Sequence, residues 1–171
     1  DVAVQHTSDL VFFGGYLTKL CEQAAVPVAI NLDHGATFED AVRAIRAGFT
    51  SIMVDRSTLP YEENVAQVKE LVHIAHALGI SVEAELGHVG SGFEYRSRRD
   101  ASMTAPAQAK DYVEATGVDC LAVAIGTAHG AYIGTPKLDF ERLADIKKLV
   151  GIPLVLHGGS GTGDDNIAKA C

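Results

Sequence analysis

Residues 26–54 read VPVAINLDHGATFEDAVRAIRAGFTSIMV, and this stretch decides the fold. Val26-Pro27-Val28-Ala29-Ile30-Asn31-Leu32 is apolar but too short for a helix, so it reads as a buried strand. Thr37-Phe38-Glu39-Asp40 then has the look of a helix start with Thr37 as cap. Phe38, Val42 and Ile45 follow at helical spacing, Gly48 stops the run, and Ser51-Ile52-Met53-Val54 is a second strand. Strand, helix, strand with continuous apolar strands is the pattern of a parallel β/α fold with both sheet faces covered.

Working outward, the same unit recurs. A helix is expected over Tyr61 to Leu78, with Val65, Val68, Leu71, Val72 and Ala75 turned inward. A strand follows over Ile80 to Leu86, and then a long polar loop from Gly87 to about Ala105. Pro106 fits the first turn of a helix ending at Gly117, and Cys120 to Ile125 is the most apolar strand. Asp139 can cap a helix carrying Phe140, Leu143, Ile146 and Leu149. Pro153 to Leu156 is the last strand, and Asp164 or Thr162 opens a final helix. A helix-like stretch, Tyr16 to Ala25, precedes the first strand. No dinucleotide-type GxGxxG follows that strand, so a TIM-type (β/α)8 barrel is the better reading. About five strand–helix units are legible where a closed barrel needs eight, so residues 1–171 are expected to form a single domain that is part of a barrel.

Composition narrows the class. With 47% apolar and 21% charged residues among 171, the chain is globular and not disordered. A formal net charge of −8 disfavours nucleic-acid or anionic-membrane partners. No signal peptide or bilayer-spanning run is read, and Cys21, Cys120 and Cys171 follow no CxxC pattern. Reduced, mostly buried thiols in a cytoplasmic protein are expected.

The carboxyl ends of the strands carry the chemistry. In chain order they read Asp33-His34-Gly35, Asp55-Arg56-Ser57, Glu85-Leu86-Gly87, His129-Gly130 and His157-Gly158-Gly159-Ser160-Gly161. The strand starts (Pro27, Ser51, Ser81, Pro153) carry no metal-capable side chain. Loops at carboxyl ends converge on one face of a parallel β/α fold. His34, His129 and His157, each placed just past a strand, therefore read as ligands of one Zn²⁺ with a position left for substrate. Gly158, Gly159 and Ser160 suit a phosphate, because glycines let backbone N–H groups approach it, and Gly130 can add another amide. Asp33 is either a general acid/base or the residue that orients a histidine. Asp55 and Glu85 either hold a second cation or are buried partners of Arg56 and backbone amides. His73 and His76 lie in a helix and read as surface or packing residues. His88 is close enough to Glu85 in sequence to lie near the site, and His6 is uninformative.

Four motifs now carry a resemblance. Asn31-Leu32-Asp33-His34-Gly35, Val82-Glu83-Ala84-Glu85-Leu86-Gly87, Ala124-Ile125-Gly126-Thr127-Ala128-His129-Gly130 and Leu156-His157-Gly158-Gly159-Ser160-Gly161 resemble the class II, zinc-dependent fructose-bisphosphate and tagatose-bisphosphate aldolases. The likeness runs from about Val26 onward with the motifs in family order. It implies reversible cleavage of a ketose 1,6-bisphosphate to dihydroxyacetone phosphate and glyceraldehyde 3-phosphate. Asp33 would move the proton at the aldehyde oxygen, and His34, His129 and His157 would ligate zinc. Gly130, Gly158, Gly159 and Ser160 would bind the dihydroxyacetone-phosphate portion, where a monovalent cation (Na⁺ or K⁺) can assist. Asp55 and Glu85 match positions that can hold zinc in an alternative, more buried location. Glu94, in a loop with Arg96, Arg98 and Arg99, would handle the carbon proton. The family's early strands and its last strand, with an asparagine- and aspartate-containing phosphate motif, have no counterpart. Dimers or tetramers are implied by resemblance.

No lysine stands at a strand end, which argues against a Schiff-base aldolase. Two other readings are a metal-dependent barrel hydrolase and a non-catalytic partial barrel acting as a subunit. The Gly-Gly-Ser-Gly loop and the lack of a paired His-x-His strand motif favour the aldolase over the hydrolase.

Overall fold

A computed structural model describes residues 2–3, 9–93 and 100–171. By contacts the chain forms two compact units, Asp1–Ala84 with Thr116–Asp119, and Glu85–Ala115 with Cys120–Cys171.

The first unit contains β1 (Val2–Ala3), α1 (Leu10–Glu22), β2 (Asn31–Gly35), α2 (Phe38–Arg46), β3 (Ser51–Val54) and α3 (Tyr61–Ala77). It also contains the start of β4 (Ser81–Leu86). All neighbouring pairs are parallel and follow chain order, with Leu32 opposite Val2 and Ile52, and Ile52 opposite Val82. Leu32, Ile52, Met53, Val54, Val82 and Ala84 are fully buried, as are Ala41, Ala44, Val68, Leu71 and Ala75 on the helices. Strands this apolar persist only when helices shield them, which is the β/α arrangement expected.

The boundaries shift from the expected ones for physical reasons. β2 begins at Asn31 because its ladder starts opposite Ser51, and Val26 and Val28 stand exposed before it at 66% and 47%. It runs on through Asp33 and His34 to Gly35, so both residues lie within the strand and not after it. α1 starts six residues earlier than its apolar pattern suggests, because the Asp9 carboxylate accepts the Phe12 N–H at 2.9 Å. On α2 the Thr37/Asp40 capping box forms as expected. Its buried face, however, is Ala41 and Ala44, while Phe38 is 42% exposed. On α3, Asn64 takes a buried place and Val65 is only half-buried.

In the second unit a 3₁₀ turn (Asp100–Ser102) leads to α4 (Pro106–Thr116), β5 (Cys120–Val123) and α5 (Phe140–Leu149). β6 (Leu154–Val155), a 3₁₀ turn (Gly159–Gly161) and α6 (Asp164–Ala170) complete it. β5 and β6 are parallel, with Leu121 opposite Leu154. Asp139 caps α5 through the Arg142 N–H at 2.9 Å, and Ile146 is its buried residue. Thr104 anchors the end of the long loop: its hydroxyl donates to the Leu86 carbonyl and accepts the Ala124 N–H.

Among the described residues six strands are each followed by a helix, one more than the five units legible in the sequence. The extra strand, β1, is two residues long and shows no period of its own; only its pairing with β2 defines it. The cysteines are free, but Cys21 and Cys120 are half-buried and Cys171 is exposed, so the expectation of mostly buried thiols is corrected. They sit at a helix end, a strand start and the last residue, where burial is incomplete.

Candidate functional site

In the first unit the site is built on the end of β2. The register against β3 shifts between Leu32 and Gly35, a bulge that re-aims the strand end. His34 has φ +50°, the one non-glycine residue with positive φ among the described residues. A left-handed backbone costs an L-residue about 1–2 kcal/mol and persists where the surroundings enforce it. Enforcement is visible on both sides. A Cβ on Gly35 would lie 2.6 Å from the Leu32 side chain and 2.8 Å from the Met53 carbonyl. The His34 Nδ1 is 2.8 Å from Asp55 Oδ2.

Asp55 also accepts the Ser57 N–H at 3.0 Å and the Ser57 hydroxyl at 2.7 Å, both on Oδ1. Burial alone would push the Asp55 carboxyl up, but the His34 and Ser57 hydrogen bonds outweigh it and hold it well below the usual carboxylate range. An ionised carboxylate only accepts, so Nδ1 carries a proton, and in the neutral imidazole the lone pair would be on Nε2. Asp33 Oδ1 is 3.8 Å from that Nε2, beyond hydrogen-bond range, and its side chain is 33% exposed. The orienting partner of His34 is therefore Asp55 and not the adjacent aspartate. Arg56, nearly buried, spans the same two strand ends: its Nη1 donates to the carbonyls of Gly35 and Asp55 at 3.0 and 2.9 Å. Its Nε donates to Gln67 at 2.8 Å.

In the second unit Glu85 is fully buried and accepts the Val89 N–H at 2.8 Å, with His88 Nδ1 3.5 Å away. His88 thus does lie beside Glu85. His129 has an exposed side chain on a pinned backbone. Its N–H donates to Gly90 and its carbonyl accepts from Gly92, each at 2.8 Å. The His129 and His157 rings meet edge to face with centroids 5.8 Å apart. Gly158 is left-handed, with φ +70°, and a Cβ there would lie 2.6 Å from the backbone of Ala128. Gly161 packs on the ring of Tyr132, where a Cβ would lie 2.6 Å from Cδ2. Two glycines of the Gly-Gly-Ser-Gly turn are thus required by packing, whatever their amides bind. Ser160 is exposed and Gly130 has φ +79°. His73 and His76 are exposed on α3, and His76 pairs with Asp119 at 2.9 Å.

Each unit therefore gathers its own share of the expected site residues: Asp33, His34 and Asp55 in the first, His129 and His157 in the second. Tyr132, which contacts both histidine loops, was not singled out from sequence; its only signal there is an aromatic three residues after His129. His6, Glu94, Arg96, Arg98 and Arg99 lie outside the described residues.

Comparisons with known proteins show the family and the fold. The family model for class-II fructose-bisphosphate aldolase matches residues 1–171. A relative from Bacillus subtilis (strain 168), described as "Probable fructose-bisphosphate aldolase", is 48% identical over 93% of this chain and 59% of its own length. Among solved structures, the YdjI aldolase from Escherichia coli K12 superposes with a TM-score of 0.85 at 39% identity, covering 98% of this chain and 58% of that one. The fructose-bisphosphate aldolase of Campylobacter jejuni gives 0.72 at 25% identity, over 94% of this chain and 53% of that one. The chain belongs to the class-II fructose-bisphosphate aldolase family. Those aldolases are TIM barrels, and this chain, which spans less than two thirds of their length, is a partial-length version of that fold. No helix among the described residues is long and apolar enough to cross a membrane.

Proposed function

We propose that this chain carries the metal site of a ketose-1,6-bisphosphate aldolase, with Zn²⁺ held by His34, His129 and His157. The observation that carries the reading is His34 itself. It is a histidine on a left-handed backbone whose Nδ1–H is committed to an ionised aspartate, an arrangement that suits Nε2 to a cation. The donor chemistry fits zinc: three imidazole nitrogens, with a carboxylate behind one of them. When bound, Zn²⁺ supplies Lewis-acid stabilisation of the negative charge left on the substrate oxygens as the carbon–carbon bond breaks.

The remaining work falls to the chain's own groups. The Asp33 carboxylate, one-third exposed beside His34, takes the proton from the hydroxyl that becomes the aldehyde oxygen, and returns it in the condensation direction. Amides of Gly130, Gly158 and Gly159 with the Ser160 hydroxyl hold the phosphate of the dihydroxyacetone-phosphate portion, with Na⁺ or K⁺ as companion ion. Asp55 and Glu85, both carboxylates at strand ends, offer a second position for the metal. The substrate is fructose 1,6-bisphosphate or its epimer tagatose 1,6-bisphosphate.

The test is cleavage of both sugars before and after chelation. Activity should vanish with the chelator and return with Zn²⁺, and the ratio of the two rates names the substrate. Chelator-resistant cleavage with borohydride trapping of substrate on the protein would instead show a lysine Schiff base and end the proposal.

A further inference from the structure

We infer that Tyr132 is a positioning residue that sets the placement of His129 relative to His157. The inference rests on the zinc reading for its consequence but on the second unit's geometry for its substance. The Tyr132 hydroxyl accepts the Ala128 N–H at 2.6 Å and donates to the Gly158 carbonyl at 3.0 Å. One oxygen thus joins the residue before His129 to the residue after His157. Beneath it the two loops touch: no Cβ fits on Gly158 against the Ala128 backbone, and none fits on Gly161 against the Tyr132 ring. The site a Cβ would take on Gly161 is also 3.2 Å from the Gly130 carbonyl. The aromatic ring therefore fills the angle between the loops while the hydroxyl fixes their separation.

The physical need is clear from what the loops lack. His129 lies beyond β5 and pairs through an isolated parallel bridge to Ser91, and β6 ends two residues before His157, so neither histidine stands on a strand of the sheet. The His129 backbone is tied to Gly90 and Gly92. Tyr132 ties the neighbouring residue across to the His157 loop. A hydroxyl that both accepts and donates is required, because one loop presents an N–H and the other a carbonyl. Phenylalanine keeps the ring and removes both bonds.

The experiment is Tyr132→Phe, with the exposed Tyr16→Phe as control. Two readouts are taken. In metal-free protein, amide exchange at Ala128 should speed up by roughly tenfold or more, as its half-buried hydrogen bond is lost. In a chelator competition, the zinc Kd should rise by about 10–100-fold, the usual consequence of removing a group that orients ligands. Both changes, with Tyr16→Phe unaffected, support the inference. Unchanged Ala128 exchange overturns the bridge. Faster exchange with a zinc Kd within about twofold of wild type overturns its role in placing the histidines. A wild-type protein that binds no zinc would sink the functional reading instead. The inference would then stand or fall on whether the His129 and His157 ring resonances shift in metal-free Tyr132→Phe.

Discussion

Replacing Asp55 by asparagine changes one atom and should reverse the tautomer of His34. In the native site Oδ1 receives two donors from Ser57, its N–H at 3.0 Å and its hydroxyl at 2.7 Å, whereas Oδ2 receives the single His34 Nδ1–H at 2.8 Å. The Ser57 hydroxyl can rotate but its N–H cannot, so the asparagine oxygen stays with Ser57. The amide NH₂ is then left facing Nδ1. Two donors cannot face each other, so the His34 proton moves to Nε2, the atom proposed to bind metal. The charge-assisted bond to Nδ1 becomes a neutral one, a loss of about 1–2 kcal/mol in the metal-free protein. Zinc affinity should fall about 10–100-fold. Nitrogen-15 spectra of the imidazole report the tautomer directly, and chelator competition gives the affinity. An Asp55→Asn protein that retains Nδ1–H and binds zinc within about twofold of wild type would refute the argument. The pH dependence supplies a second sign. Since the folded protein holds Asp55 well below its usual value of 3.8, its ionised form contributes stability that is full above that value and is lost as pH falls toward the folded one. The stability gap between wild type and Asp55→Asn should therefore narrow between about pH 5 and about pH 2.

Asp33→Ala should keep its metal and lose roughly 10²–10⁴-fold in turnover, measured by metal analysis alongside the cleavage rate; metal loss would make Asp33 an orienting group instead. Gly158→Ala places a Cβ at φ +70° and 2.6 Å from the Ala128 backbone, so urea unfolding should show a loss of about 2–5 kcal/mol from backbone strain and overpacking.

Much of the architecture was legible because long amphipathic helices and apolar strands announce themselves by period. Thr37 and Asp139 were legible as caps because a cap is a local bond between side chain and nearby amide. The start of β2 and the existence of β1 were not, since a strand exists only through its partner's register. The inward face of α2 was not legible for a related reason. Periodicity locates the apolar residues, but the strands beneath decide whether Phe38 or Ala41 faces them. In the site, Asp33 was the obvious neighbour of His34 by position. Asp55, 21 residues after His34, is the group that holds the imidazole.

The strand-end histidines, the glycine turn and the order of β/α units follow from the sequence alone, because they depend on residue type and spacing along the chain. Their orientation does not. The left-handed twist at His34, the choice of Asp55 as its partner and the hydroxyl of Tyr132 between two loops all depend on atoms distant in sequence meeting within hydrogen-bond range. Only the folded backbone decides that, because a hydrogen bond is sensitive to tenths of an ångström and a residue pattern carries no such distance.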